Sequence, residues 1–221
     1  RAANGVIVVT TKHAKEDRLS VNIGYSASLQ TIAKRRQMLN AEQWGNAFGQ
    51  ASLNANMTPS HMFYTFDANG AATLNEYLDA AQTVRSTDTD WQDAIYRNAW
   101  THNVNANVAN ATEKGSVYFS GNYMSQDGLV NETYFERFSA RVNSDFKIGK
   151  WVKVGENLMV ARWKDNGCSV QNDRGIPSLA LWQHPAMPVK TEDGNWALPI
   201  KLAHSDYANP AQQLYLGRDN N

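Results

Sequence analysis

The sequence is poor in cysteine, has no excess of either charge and contains no long apolar run. Cys168 is the single cysteine among 221 residues, which excludes an internal disulfide and a metal site built on several cysteines. The 21 Lys and Arg residues balance the 21 Asp and Glu residues, so no global field favours nucleic acid as a partner. No stretch approaches the roughly 18 apolar residues that a membrane-spanning helix needs.

Motifs for catalysis and for cofactor binding are also missing. The five histidines are scattered and match no metal-binding spacing, and neither a Gly-rich phosphate loop nor a nucleophile elbow is present. We therefore expect no cofactor, no metal and no enzymatic activity. The histidines are His13, His61, His102, His184 and His204.

The chain opens with "RAANGVIVVTTK", which reads as a tight turn followed by a strand. Asn4-Gly5 is a favoured turn pair, and the β-branched run Val6–Thr11 has apolar side chains on both faces, as in a strand buried on both sides. There is no initiator Met and no signal-peptide pattern. We expect the chain to be a piece of a longer protein that begins on the last strand of a preceding domain.

Two-residue alternation predicts several strands with one apolar and one polar face. The residues from Leu19 to Leu29 show it first, and it returns after Trp91 for about 70 residues. Between these regions, Asn40 is placed to cap a short helix that carries Trp44 and Phe48. For the polar connector from Asn54 to Asp90, the only helix predicted lies around Leu74 to Val84.

The connections between the later strands alternate between short and long. "ATEKGS" and "KIGK" are tight turns, whereas "SQDGLVNETY" is longer. A soluble sandwich does not require such segregation, but an outer-membrane barrel has short periplasmic turns opposite long outer loops. The inward face is also rich in Asn, which suits a wet lumen. The fold predicted is an all-β transmembrane antiparallel barrel, present in part.

Some residues test this prediction directly. Glu156 falls on the apolar face of the last strand, where a charge in hydrocarbon is costly, and His102 raises a milder form of the same problem. Aromatic residues near the strand ends are candidates for the interfacial girdles of a barrel. These are Trp100, Tyr134, Phe135, Trp151 and Trp163.

Five segments in one order resemble the SusC/RagA family of TonB-linked outer-membrane proteins. The first is the opening stretch, which is similar to the end of the family's plug domain. The others are "MLNAEQW", "TDWQDAIYRNAWTHNVNANVA", "GSVYFSGNYMSQDGLV" with "FERFSARVNSDFKIGKWVKVGENL", and "HPAMPVKTEDGNW" with "ANPAQQL". Each is weak alone, but the set covers nearly the whole chain.

The resemblance implies a large plugged import barrel, of which this chain supplies a part. Residues 1–17 would be the end of the plug, including its C-terminal strand, and the linker, and residues 18–221 the N-terminal part of the barrel, about five strands with long extracellular loops. Implied partners are membrane lipid, a SusD-like surface lipoprotein, and the TonB complex through parts of the protein outside this chain. The implied cargo is an oligosaccharide, a peptide or another large nutrient.

Residues in the predicted outer loops are candidates for substrate binding. The aromatic rings would stack on sugars, and the charged pair would bind their hydroxyl groups; packing within the loops is the alternative role. The candidates are Asp173, Arg174, Trp182, Trp196 and Tyr207. For the function, the alternative to the importer is a soluble antiparallel glycan-binding domain. A passive porin is disfavoured because the first stretch of the sequence resembles a plug strand.

Overall fold

The structure, a computed structural model, describes residues 18–169, 175–197 and 208–217. The predicted plug strand Val6–Thr11, with the rest of residues 1–17, lies outside this part. The chain forms two units. The described residues of unit 1 are 18–29, 100–127 and 134–165, and the other described residues form unit 2.

Seven strands and four helices make up the described chain. The strands are β1 (Ser20–Gln30), β2 (Tyr64–Phe66), β3 (Ala72–Leu74), β4 (Ala99–Thr112), β5 (Gly115–Asp127), β6 (Tyr134–Ile148) and β7 (Val152–Asn166). The helices are α1 (Ala41–Asn54), α2 (Trp91–Ile95), α3 (Ile176–Trp182) and α4 (Pro210–Gly217). Within these residues, no helix is both long enough and apolar enough to cross a bilayer.

Unit 1 is built on a five-stranded sheet in the order β1-β4-β5-β6-β7. Strands β4, β5 and β6 pair antiparallel, with Val108 opposite Phe119 and Phe119 opposite Val142 on one face. On the other face, Asn105 lies opposite Asn122. The predicted hairpins and their two faces are therefore confirmed, because alternation along each strand and the turn positions together fix the register.

The connections at the two ends of this sheet differ in length. Residues 113–114 join β4 to β5, and residues 149–151 join β6 to β7 with Gly149 at a φ of 64°. Residues 128–133 join β5 to β6, and residues 31–98 join β1 to β4. Short connections thus close one end of β4–β7, and longer segments leave the other end.

Unit 2 has a buried core of its own. Phe63 and Ile95 are fully buried, and Leu78, Trp91 and Leu214 are nearly so. They belong to a single apolar cluster that draws on the connector and on the C-terminal segments. The polar connector is accordingly a folded element, stabilised because apolar side chains scattered along it are removed from water.

The start of α1 was predicted correctly. Asn40 accepts a hydrogen bond from the backbone N–H of Gln43, and the Gln43 side chain accepts one from the backbone N–H of Asn40. This reciprocal arrangement is a capping box, which satisfies two backbone donors that helix geometry leaves unpaired.

The helix predicted around Leu74 to Val84 is wrong. Leu74 ends β3, and the following residues form turns instead. The Asp79 carboxylate accepts hydrogen bonds from the backbone N–H groups of Thr83 and Val84, and Leu78 donates its N–H to the Val84 carbonyl. An Asp side chain that captures nearby backbone donors competes with helix formation, which explains the difference.

Candidate functional site

The five-stranded sheet presents an exposed apolar face. Ile23 of β1 is 76% exposed and Phe138 of β6 is 50% exposed, although both belong to regular strands. Large side chains along all five strands share this condition. Those on this face include Val21, Tyr25, Leu29, Val104, Val108, Val117, Phe119, Tyr123, Phe146, Val154, Leu158 and Val160. An apolar surface of this extent indicates contact with lipid or with another protein.

The opposite face is polar and hydrogen-bonded across strands. Asn22 donates to Asn107 at 3.1 Å, and Asn122 donates to Asn103 at 2.6 Å. Amide side chains in register therefore satisfy one another on this face, which suits a wetted surface.

Charged side chains extend the polar face towards β7. The Lys153 ammonium lies 3.4 Å from the Asp145 carboxylate, and the Arg141 guanidinium lies 3.2 Å from the Met159 sulfur. These contacts place the odd-numbered residues of β7 on the polar face, because side chains alternate along a strand. Glu156 thus falls on the apolar face beside Val154 and Leu158, as the sequence indicated.

Not all of the proposed girdle residues lie on the apolar face. Phe135 lies opposite Gln126, in the row that contains Asn122, and Trp163 shares the side of Met159. Tyr134 remains on the apolar face, and so does Trp100, whose ring stacks at 6.0 Å on that of His102. The girdle prediction is wrong for Phe135 and Trp163, because a shift of one residue changes the face.

His102 has polar and aromatic neighbours on the apolar face. The Tyr25 hydroxyl lies 2.8 Å from His102 Nδ1, and the two rings stack at 6.1 Å. A hydrogen bond to Tyr25 reduces the cost of placing an imidazole among apolar side chains.

Trp196, one of the predicted substrate residues, lies in an aromatic group of unit 2. It pairs with Lys190 across a short hairpin closed by Gly194, whose φ is 78°. The Lys190 ammonium lies 4.8 Å from the Trp196 ring centroid, and the Tyr215 ring of α4 lies 5.5 Å from it. We call Lys190, Trp196 and Tyr215 the aromatic platform. A partly buried indole beside a second ring can stack its accessible part on an apolar ligand face.

The structure places only two of the five predicted substrate residues. They are Trp196 and Trp182, and Trp182 ends α3 and is 48% exposed. Asp173, Arg174 and Tyr207 lie outside the described residues. Tyr215 was missed because a tyrosine on a short helix carries no local signal that separates a ligand contact from a packing residue.

A cavity of about 390 Å³ lies within unit 2. Burial raises the pKa of the Cys168 thiol, so this thiol stays protonated and is a poor nucleophile. The lining combines a few polar groups with Ile176, Leu214 and Leu216. In size the cavity matches small-molecule sites, but the described residues that line it form no catalytic arrangement.

Two histidines of unit 2 pack among aromatic rings. The His61 and His184 rings stack at 5.5 Å, and the Trp44 ring lies 4.1 Å from that of His184. His184 is 8% exposed; its Nδ1 accepts from the backbone N–H of Ala186, and its Nε2 is buried without a hydrogen-bond partner among the described residues. Neutral His184 therefore carries its proton on Nε2.

Burial sets the charge state of both rings. Desolvation, with a smaller effect from His61, lowers the pKa of His184 to about 3, and desolvation also lowers the pKa of His61. Both are neutral near pH 7 and serve as packing groups. In the described part of the chain, no three His, Cys, Asp or Glu side chains are arranged to hold a metal ion.

Comparison with known proteins gives a consistent set of relatives, although no family model matches the chain. TonB-dependent receptor P3 of Formosa agariphila is 28% identical over 216 residues, which cover 95% of this chain and 19% of that receptor. TonB-dependent receptor SusC of Bacteroides thetaiotaomicron is 28% identical over 144 residues, which cover 65% of this chain and 12% of SusC.

Solved structures show the same fold. The RagAB peptide importer in its open-open state matches with a TM-score of 0.65 at 19% identity, over 96% of this chain and 26% of that one. The closed-closed state matches with a TM-score of 0.62 at 17% identity. The matched proteins are receptors and importers rather than enzymes, as the sequence led us to expect. The chain is therefore similar to TonB-dependent receptors of the SusC/RagA kind, and it spans 19% of the length of receptor P3 and 12% of that of SusC.

Proposed function

We propose that the chain forms part of the wall and outer loops of an outer-membrane importer for large nutrients. The observation that carries the proposal is the sheet of unit 1, with one exposed apolar face and one hydrogen-bonded polar face. Lipid contacts the first kind of face in an outer-membrane barrel, and the second kind lines the lumen. A soluble glycan-binding domain would have to leave this apolar face in water, which disfavours that alternative.

In this proposal, residues 1–17 are the end of the plug and the linker, and residues 18–221 begin the barrel. Further strands must complete the wall, because an open sheet edge in lipid leaves backbone groups without hydrogen bonds. The five-stranded sheet, in a chain that covers 26% of the RagAB chain it matches, is compatible with this division.

The proposed partners follow from the relatives. RagAB is a peptide importer by name. We propose that this receptor works with a surface lipoprotein of the SusD kind, as the resemblance to the SusC/RagA family implies. Contact with TonB would be made by parts of the receptor outside this chain.

Oligosaccharide is the proposed cargo, with peptide as the competing class. Support comes from the aromatic platform, since rings of Trp and Tyr stack on the apolar faces of sugars. Asp173, Arg174, Trp182 and Tyr207 remain proposed contacts beside Trp196.

Sidedness tests the proposal on the full-length receptor in intact cells. Single cysteines replace Met57 in the long connector or Gly149 in a short turn, in a background with Cys168→Ser. A membrane-impermeant maleimide should label Met57→Cys and leave Gly149→Cys unlabelled, because long connections face outward in such barrels. Glu113→Cys, in the other short turn, is the matched control and should also stay unlabelled.

Two results would contradict the proposal. Labelling at the short turns but not at Met57→Cys would reverse the orientation. Recovery of the full-length receptor as a water-soluble monomer would exclude a barrel, whatever the labelling pattern.

A further inference from the structure

The short-turn end of the sheet in unit 1 carries a group of lysines. We call Lys114, Lys147, Lys150 and Lys153 the basic rim, and all four are exposed. The Lys147 backbone N–H donates to the Lys114 carbonyl at 2.8 Å, so the β4–β5 turn adjoins the end of β6. Two separate turns therefore bring their cations to one edge.

The rim has an excess of positive charge. Glu113 and Asp145 are the acids within the same segments, and Asp145 already pairs with Lys153 at 3.4 Å. Four lysines against two acids leave two positive charges in excess. Lys114 and Lys150, which lie in or beside the turns, are the cations best placed to bind an external anion, because Lys153 is already engaged and Lys147 shares the polar face of Asp145.

Exposed apolar side chains flank the rim. Trp151 is 94% exposed at the tip of the β6–β7 turn, and Ile148 is 61% exposed. Phe146 continues this row along β6. An exposed indole beside lysine side chains is typical of a polypeptide at a membrane surface, where rings sit at headgroup depth and ammonium groups reach the phosphates.

We propose that the basic rim binds the headgroups of anionic phospholipids in the inner leaflet of the membrane. The proposal rests on the proposed function, which places the short turns on the periplasmic side. A phospholipid offers a phosphate to Lys114 and Lys150 and an acyl chain to Phe146 and Ile148 together. Free phosphate offers nothing to that apolar row, and this favours lipid as the occupant.

The test uses the full-length receptor in vesicles of phosphatidylethanolamine mixed with phosphatidylglycerol, with one of the two lipids brominated at a time. The fluorescence quenching of Trp151 is obtained by subtracting the signal of Trp151→Phe from that of the wild type. We expect brominated phosphatidylglycerol to quench about two- to fivefold more per molecule, as expected when lysines at an anionic surface each contribute appreciably. In Lys114→Gln/Lys150→Gln the ratio should fall to about one.

A matched double variant controls for net charge. Lys34→Gln/Lys164→Gln removes two lysines outside the rim and should retain the preference. If the rim variant fails to assemble, wild type alone still decides: raising the salt from about 0.05 M to about 0.5 M should remove most of the preference, because surface charges are then screened.

Failure of the two proposals can be told apart. Equal quenching by both brominated lipids, in a receptor that runs as a folded barrel on an unheated gel, would overturn lipid selectivity. No quenching of Trp151 by either lipid in that folded receptor would also overturn it, since the rim would then contact water or a periplasmic protein. Absence of any folded barrel in vesicles would overturn the proposed function instead.

Discussion

Acidification should loosen unit 2 through His184. Burial lowers the pKa of this imidazole from 6.5 to about 3, so the folded unit resists a proton that the opened chain accepts. The resulting stability is fully present above pH 6.5 and is lost progressively as the pH falls from 6.5 towards 3. At about pH 5 the loss is about 2 kcal/mol, or a roughly thirtyfold larger opening constant.

The surroundings of His184 offer little to offset this loss. His61 stacks on it, and the pKa of His61 is also lowered by burial, so protonation of His61 acts in the same direction. Trp44 and Phe63 contribute uncharged rings. Burial, with a smaller effect from the Asp88 carboxylate, raises the pKa of the neighbouring Tyr64, and that carboxylate accepts from the backbone N–H of Ala41.

Hydrogen exchange followed by mass spectrometry on the full-length receptor measures the effect. Peptides from α1 and from the segment around Ala186 should lose protection between about pH 7.5 and about pH 5, after correction for the intrinsic exchange rate. His184→Asn keeps a side-chain acceptor for Ala186 and should flatten the pH dependence.

His102→Asn is the control, because His102 lies in unit 1. This variant should leave the pH dependence of unit 2 as in wild type. Unchanged protection of α1 down to about pH 5 in the wild-type receptor would refute the reasoning, since a buried neutral imidazole must then be absent.

Three further predictions concern single side chains. Asn40→Ala removes the capping box of α1 and should lower the stability of unit 2 by about 1 kcal/mol, measured by thermal unfolding with limited proteolysis as the readout. An unchanged unfolding midpoint would show that the cap is dispensable. Gly49→Ala brings a Cβ into the Gly70 carbonyl oxygen and should lower the free energy of unfolding by about 1–3 kcal/mol, whereas Gly121→Ala meets open space and should change it little. Trp196→Ala should weaken oligosaccharide binding about three- to tenfold by calorimetry, and an unaltered affinity would remove the aromatic platform from the substrate site.

The sheet of unit 1 was predictable because its signals are local. Asn105 and Val104 point to opposite faces for the same reason that any neighbours on a strand do, and the turn near Lys114 fixes which residues pair. The start of α1 was equally readable, since the capping box spans only Asn40 to Gln43.

Unit 2 was less accessible from the sequence. The connector after α1 reads as polar, yet Phe63 and Leu78 become core residues by meeting segments from the far end of the chain. The helices α2, α3 and α4 are short, and short helices depend on tertiary packing more than on propensity. The candidate site was predicted only in part for the same reason. Trp196 was identified as an aromatic loop residue, but its neighbour Tyr215 was not.

The sequence by itself determined which face of each long strand is apolar, because alternation follows from backbone geometry and needs no partner. It also determined the short turns that close one end of the sheet. Only the tertiary structure decided that His61 stacks on His184 and that Tyr215 lies beside Trp196. Such contacts join distant segments through loop closure, whose outcome depends on the packing of the whole unit and leaves no pattern in neighbouring residues.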